Sequence, residues 1–190
     1  MDLQGGKIKN VKDFRWEPLY DTYTIGNAAL TTLTNRFFST PISGTKQKYQ
    51  TNMVAASQLP SPQVFRCYGI KARAISVDTR DSRTLGYLCM DSWIRFFVGT
   101  KDYLITPLAK VAGKVYSVID GLNSAAGAQQ GSVSFGAPEV SYFKFPANGF
   151  IDILSTENFG VEWTLNTSFT LNASVNLVIE LHGYRGVEVR

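Results

Sequence analysis

The feature that most constrains this fold is a two-residue alternation between residues 159 and 181. Large apolar side chains occupy most odd positions, whereas the even positions are mostly polar. The apolar residues are Phe159, Val161, Trp163, Leu165, Phe169, Leu171, Ala173, Val175, Leu177, Ile179 and Leu181. Because successive side chains of a strand point to opposite faces of the sheet, this pattern predicts strands with one buried face. Breaks near residues 166–168 or at Asn172 would fold these strands into a meander.

Other apolar segments also predict strands. Residues 64–78 form one long candidate, in which the charged side chains change parity near Gly69 and so predict a β-bulge there. Residues 86–98 form the next candidate strand. Asn148-Gly149 lies between two apolar runs and predicts a hairpin turn. Residues 187–189 predict a closing edge strand.

Signals for helices are fewer. Residues 106–122 are the best helix candidate, because their apolar residues recur on one helical face. Residues 25–38 combine a four-residue apolar spacing with three threonines, so a strand and a short helix both remain open. The charged segment 78–84 predicts a turn. The small, polar segment 123–138 predicts a surface loop with a short strand at 133–135.

Together these elements predict an all-β fold. Aromatic residues make up 13% of the 190 residues, and charged residues make up only 18%, which suits strands that bury one face. Two facing antiparallel sheets or a closed barrel would bury such faces. We therefore predict an eight-stranded antiparallel jelly roll, a single β-barrel or sandwich, over residues 25–190. It should contain at most one or two short helices.

Residues 1–24 are predicted to form an N-terminal arm that mixes cations with large apolar side chains. A plain linker would not carry so many rings, so the arm should pack against something. Its own domain's sheet and a neighbouring subunit both remain open as partners. If it reaches a neighbour, the assembly contacts would be Phe14, Arg15, Trp16, Leu19, Tyr20 and Tyr23.

Charge is distributed unevenly along the chain. The net charge is +4, with an excess of Lys and Arg in residues 1–95 and an excess of Asp and Glu in residues 96–190. A basic half favours contact with a genome or with an anionic inner membrane. Arg66, Lys71 and Arg73, with Tyr68 among them, would be the nucleic-acid contacts on one sheet face. The alternative is a strand whose charges face water or a neighbouring subunit.

The residues that carry most enzyme chemistry are scarce. His182 is the single histidine, on the polar side of a strand, and no Cys-x-x-Cys pair or Walker loop is present. Cys67 and Cys89 lie in apolar runs and are predicted to be buried free thiols. We therefore predict a protein that is not an enzyme, with no catalytic, metal or cofactor site and no small-molecule substrate. The first residues also lack the apolar segment of a secretory signal.

Two segments carry a resemblance to a known family. Residues 93–108 read WIRFFVGTKDYLITPL, and residues 175–187 read VNLVIELHGYRGV. Together with an N-terminal arm before an all-strand body, they resemble the single jelly-roll major capsid proteins of tailless icosahedral viruses, especially membrane-containing bacteriophages. The resemblance implies a virion protein, made in the host cytoplasm, that forms capsomers of sixfold or pseudo-sixfold symmetry. Its partners would be copies of itself and other coat proteins. The family has no catalytic residues to transfer.

A second function class fits the same composition. A non-catalytic β-sandwich binding module, such as a phage receptor-binding or lectin-like protein, would present exposed Trp or Tyr side chains in a groove. A hydrolase on a jelly-roll body is disfavoured by the single histidine and the missing metal motifs. The fold alone separates none of these classes, because jelly rolls support all of them.

Overall fold

The computed structural model describes residues 11–26, 29–30, 32–43, 45–76, 82–112, 115–118, 132–135, 143–145, 149–171 and 174–188. The described part is mostly β-structure with two short helices. Its strands are β1 (Val11–Trp16), β2 (Leu19–Ile25), β3 (Ala29–Leu30), β4 (Leu33–Phe37), β5 (Gln63–Ser76), β6 (Ser92–Val98), β7 (Lys101–Pro107), β8 (Val115–Val118), β9 (Ser132–Phe135), β10 (Phe143–Lys144), β11 (Ile151–Ile153), β12 (Phe159–Leu165), β13 (Phe169–Thr170) and β14 (Val175–Glu188). The helices are α1 (Ser82–Met90) and α2 (Leu108–Val111).

The larger of the two main sheets is built around its two longest strands, β5 and β14, which pair antiparallel along their length. On its other side β14 pairs first with β2 and then with β1. The far side of β5 pairs with β11 and β10 in the same end-to-end way. Six strands therefore fill only four positions across the sheet.

The second sheet has four strands in the order β4-β12-β6-β7, all antiparallel. The two main sheets thus contain ten strands, and the predicted number of eight is wrong. The physical reason is that two long strands each have two short partners in place of one. Two further pairs, β3 with β13 and β8 with β9, lie outside the main sheets.

The alternation at residues 159–181 is confirmed as the core signal. The apolar odd positions whose side chains the structure describes are all buried, namely Phe159, Val161, Trp163, Leu165, Leu171, Val175, Leu177, Ile179 and Leu181. The predicted meander is wrong, however, because β12 belongs to the four-stranded sheet and β14 to the six-stranded one. The chain crosses between the sheets after residue 165, so both inward faces contribute to one core.

The bulge predicted near Gly69 is also confirmed. His182 pairs with Gly69, but the next residue of β14, Gly183, pairs with Cys67, so Tyr68 is the extra residue of β5. At this point the two strands approach closely. A Cβ atom on residue 183 would collide with the Arg66 carbonyl oxygen and with the Phe65 ring. Only glycine fits there without a shift of the backbone.

Several local predictions are wrong in the segment between the two sheets. Residues 82–90 form α1, although the end of a turn and the beginning of a strand were expected there. The helix forms because Leu85, Leu88 and Cys89 are buried at helical spacing. The expected helix over 106–122 is reduced to the single turn of α2. The residues before it extend β7, and β8 follows at Val115–Val118. β9 agrees with the short strand expected at 133–135, within a segment that otherwise lies outside the described residues.

Two turn predictions near the end of the chain are also wrong. Asn148-Gly149 does not connect a hairpin, because β10 and β11 run in the same direction and both pair with β5. Of the expected edge strand at 187–189, the first two residues continue β14, which has β1 on one side and β5 on the other, and residue 189 lies outside the described residues. For residues 25–38 the strand alternative is correct, since β3 and β4 lie there.

A buried carboxylate anchors the connection between β4 and β5. Asp21, on β2, accepts hydrogen bonds from the Phe38 backbone N–H at 2.6 Å and from Lys46 Nζ at 2.6 Å. Phe38 has a φ of 66°, which is unusual for a residue with a side chain. The two hydrogen bonds satisfy the buried charge and hold the strained turn in place.

Candidate interaction surface on the six-stranded sheet

A single row of side chains crosses the outer face of the six-stranded sheet. Trp16 on β1 is paired in register with Tyr184 on β14, Tyr184 with Arg66 on β5, and Arg66 with Asp152 on β11. Because Leu181 of β14 points into the core, the strand alternation directs residues 182 and 184 outward. The row therefore places aromatic rings at one edge and an ion pair at the other.

The rings form one connected group, which we call the aromatic cluster: Phe14, Trp16, Tyr68, Phe150 and Tyr184. Tyr184 is its centre, with ring centroids 5.1 Å from Trp16, 5.9 Å from Tyr68 and 6.5 Å from Phe14. Phe150 joins through Tyr68 at 6.2 Å. Three of these pairs are edge-to-face, a favourable arrangement for aromatic rings.

The ion pair in the row is buried, although it lies on the outer face of the sheet. Arg66 Nε and Nη2 donate to the two carboxylate oxygens of Asp152 at 2.7 and 2.9 Å. The guanidinium lies 3.9 Å from the centre of the Phe150 ring, and Arg66 is only 1% exposed. The hydrogen bonds to Asp152 raise the pKa of Arg66. This geometry fixes β11 against β5.

Next to the aromatic cluster lies a group of charged side chains on β5 and β14. Arg73 forms a short ion pair with Glu180, and His182 Nε2 lies 3.3 Å from the same carboxylate. Lys71 is paired in register with Glu180 and is 8% exposed. Burial, and then repulsion by Arg73, lower the pKa of Lys71. The Glu180 carboxylate therefore interacts with Arg73 and His182, and Lys71 lies opposite Glu180 in the strand register.

His182 is not the surface residue that the sequence suggested. Its side chain is 14% exposed, and its ring centroid lies 6.0 Å from that of Trp16. Burial is the main cause that lowers its pKa to about 4, and the charges of Lys71 and Arg73 lower it further. At neutral pH the ring is therefore uncharged.

The six predicted assembly contacts fall in different environments, because residues 11–16 and 19–24 of the predicted arm lie in strands of the chain's own sheet. Leu19 is fully buried, and the half-buried Tyr23 ring packs on Phe37 and Trp163 of its own chain. A contact of these two residues with another subunit stays a prediction.

The other predicted contacts lie at or near the surface. Phe14 and Trp16 belong to the aromatic cluster, and Arg15 is exposed and pairs with Glu17 at 2.7 Å. The Tyr20 hydroxyl donates to the Lys48 carbonyl oxygen at 2.5 Å. A contact of these four with another subunit remains a prediction. Residues 1–10 lie outside the described part of the chain.

Three residues of this surface were missed in the sequence: Tyr184, Phe150 and Asp152. One signal could have identified Tyr184. It is a large ring at an even position of β14, where the earlier even positions are mostly polar. Asp152 and Phe150 gave no comparable signal, because their place beside Arg66 depends on the pairing of β11 with β5.

Groups that could hold a metal or act as nucleophiles are not gathered at this surface. Within the described ranges, no group of three His, Cys, Asp or Glu side chains is placed to hold a metal ion. Cys67 and Cys89 are buried, and burial raises the pKa of each thiol to about 12. Both therefore stay protonated at neutral pH. In the same ranges, no helix has the length and apolar character needed to cross a membrane.

Comparison of the chain with protein-family models, with curated proteins and with solved structures finds no match.

Proposed function

We propose that this chain is a viral capsid structural protein that folds as a jelly roll and assembles with copies of itself into capsomers of an icosahedral shell. The observation that carries the proposal is the nesting of the strand pairs. β2 pairs with β14, β4 with β12, β5 with β11, and β6 with β7. Each pair lies inside the previous one along the chain.

Nested antiparallel pairs describe one long hairpin. When such a hairpin rolls up, alternate pairs fall into opposite sheets, and the sheets then read β2-β14-β5-β11 and β4-β12-β6-β7. A jelly roll is an eight-stranded arrangement of this type, with two Greek keys in facing sheets. The additional strands β1 and β10 extend two of the eight positions and leave the nesting unchanged.

The choice of a capsid protein among jelly-roll functions rests on the sequence resemblance. Its first segment, residues 93–108, covers the β6–β7 hairpin and the start of α2, and its second, residues 175–187, covers nearly all of β14. Both segments therefore lie in the nested framework. The proposed partners are other copies of the chain and further coat proteins, and the proposed location is the virion.

Electron microscopy of the purified full chain, with light scattering on a sizing column, tests the proposal. We expect ring-shaped capsomers or shells at high protein concentration. A protein that stays monomeric at every concentration, both alone and with the other coat proteins of the same particle, would contradict the coat role.

The arm can be tested separately by two deletions. Removal of residues 1–24 deletes β1 and most of β2, so we expect this variant to unfold. Removal of residues 1–10 leaves both strands in place, so we expect a folded protein. A folded variant lacking residues 1–24 would show that β14 does not need these partners, and the division at residue 24 would then mark a dispensable arm.

A second candidate function is supported by one observation. Trp16 is 48% exposed within the aromatic cluster, and an exposed tryptophan on a β-sandwich suits a binding module of the receptor-binding or lectin-like class. Screening of the purified protein on a sugar array tests this candidate. A specific hit that is lost in Trp16→Ala, from a protein that forms only small oligomers, would favour the binding module over the coat protein.

A further inference from the structure

We infer that the outer face of the six-stranded sheet binds single-stranded nucleic acid, with Trp16 and Tyr184 stacking on bases and Lys71 and Arg73 contacting phosphates. This inference does not depend on the proposed coat function. Proteins that bind single strands without sequence preference combine stacking rings with a cationic track for the backbone. The described residues of this face bring both features together on neighbouring strands.

The rings are available and held in position. About half of the Trp16 surface is exposed, and Tyr184 supports its ring edge-to-face at 5.1 Å. Tyr184 is itself held by Phe14 and Tyr68, so the platform is fixed before any ligand arrives. A rigid ring loses little conformational freedom when a base stacks on it.

The cations lie along the same two strands. The row that contains Glu180 and Lys71 lies four residues along β14 from Tyr184. This separation is about 13 Å at a rise of roughly 3.3 Å per residue. Arg73 lies two residues further along β5 on the same face. Glu180 is the carboxylate between these cations, and it already binds Arg73. Lys71 makes no ion pair among the described residues, so its charge remains for a phosphate.

The charges of the chain favour an anionic polymer over a second copy of the protein. A basic face on one copy would need an acidic patch on the other. Most described acidic side chains already pair with an arginine or lysine of their own chain: Glu17, Asp21, Asp102, Asp152, Glu162 and Glu180. A single strand is favoured over a duplex because only unpaired bases expose faces on which Trp16 can stack.

The test uses the full chain and a fluorescently labelled oligothymidylate of about 20 nucleotides, followed by anisotropy at about 50 mM salt. We expect binding that weakens steeply as salt is raised. Trp16→Ala should weaken it at least about fivefold, and Trp16→Phe should retain most of it, because phenylalanine still stacks. Lys71→Gln should reduce the slope of log affinity against log salt by about 0.7, the contribution of one phosphate contact on a single strand.

Two control variants change similar side chains elsewhere. Tyr87→Ala removes a ring that is 53% exposed on α1, and Lys101→Gln removes an exposed cation on β7 of the other sheet. Both should bind as the unchanged protein does. Circular dichroism verifies the fold of each variant. If Trp16→Ala does not fold, Trp16→Phe and Lys71→Gln still decide the question.

Three outcomes would overturn the inference. The first is that the unchanged protein does not bind the oligonucleotide at low salt. The second is that the control variants lose as much affinity as Trp16→Ala and Lys71→Gln. The third is that vesicles of anionic phosphatidylglycerol bind the protein in a Trp16-dependent way while the oligonucleotide does not. The face would then bind a membrane surface. None of these results changes the expectation for particles in the electron microscope, so the coat proposal and this inference can fail separately.

Discussion

The outer faces of the two sheets differ in how completely their charged side chains are paired. On the four-stranded sheet Arg95 binds Asp102 at 2.8 Å and Glu162 at 2.9 Å. The guanidinium groups of Arg36 and Arg95 lie over the Phe97 ring, at 4.6 and 5.3 Å from its centre. On this face the arginines are therefore paired with carboxylates of the same sheet or stacked on its Phe97 ring.

The six-stranded sheet has the opposite balance. Its best-paired charge, Arg66 with Asp152, is buried under Phe150, whereas Glu180 pairs with Arg73 and leaves Lys71, opposite it in register, without an ion pair among the described residues. Trp16 is half exposed beside them. One face is therefore complete as folded, whereas the other keeps rings and cations with capacity to bind a partner.

The largest expected effect comes from the buried ion pair. Asp152→Ala leaves the Arg66 charge enclosed without its carboxylate, and we expect a loss of about 3–5 kcal/mol in the free energy of unfolding. Urea denaturation measures it. Glu162→Ala, which removes a carboxylate from the more exposed pair on the other face, is the matched control and should change stability far less.

A double variant separates the two possible causes of that loss. Arg66→Met combined with Asp152→Leu removes both charges and keeps apolar volume. We expect it to recover most of the stability, because well-packed apolar residues often replace a buried ion pair without loss. If the double variant is no more stable than Asp152→Ala, packing around Phe150, and not the unpaired charge, explains the effect.

The next effect compares one glycine from each sheet. In Gly183→Ala the new Cβ meets the Arg66 backbone, which cannot move without disturbing the bulge, and we expect a loss of about 2–4 kcal/mol. In Gly160→Ala the Cβ lies 3.0 Å from Arg36 Nε and 3.0 Å from Phe97 Cζ. Arg36 is a flexible, exposed side chain that can shift, so the loss in unfolding free energy should be clearly smaller. Equal losses would mean that the groups around Gly160 are as rigid as the backbone that faces Gly183.

The sequence predicted the parts of the fold that depend on local periodicity. The alternation from Phe159 to Leu181 identified the core faces of β12 and β14, and the parity change at Gly69 identified the bulge. Both signals arise within one strand, so they can be recognised before the partner strand is known. The buried thiols of Cys67 and Cys89 follow from apolar neighbours in the same way.

The sequence did not predict features that depend on tertiary pairing. Asn148-Gly149 has turn chemistry, but β10 before it and β11 after it pair in line with the long edge of β5 and not with each other. α1 was misread because apolar residues at 85, 88 and 89 also occur in a half-buried strand. The interaction surface was identified only in part, since the place of Asp152 beside Arg66 is a property of sheet order.

A smaller effect is expected from pH. The pKa of His182 is about 4 in the folded protein, below its ordinary value of about 6.5, so the unfolded chain binds a proton first as the pH falls. Stability should therefore decrease between about pH 6.5 and pH 4, by on the order of 2 kcal/mol for this group. Lys71 and Arg73 oppose the added charge, whereas Glu180 favours it.

His182→Gln isolates this contribution. Other acidic groups titrate in both proteins, so the difference between the two stability curves reports His182 alone. We expect the curves to run parallel above pH 7 and the variant to lose less stability below pH 6. Curves that stay parallel down to pH 4 would mean that His182 is protonated as easily in the folded protein as in the unfolded chain.

The smallest effect should come from Arg95, and it tests whether the four-stranded face is closed by charge or by packing. Arg95→Gln keeps part of the aliphatic stem but removes the charge shared by Asp102 and Glu162. Because these pairs are partly exposed, solvent and salt weaken them, and we expect only a slight decrease in melting temperature at low salt. At about 1 M salt the difference should vanish, since screening then acts within about 3 Å. A decrease in melting temperature that is larger than that of Gly160→Ala and persists at high salt would show that the ion-pair network is a main support of this sheet. The contrast between the two faces would then be one of packing and not of unused charge.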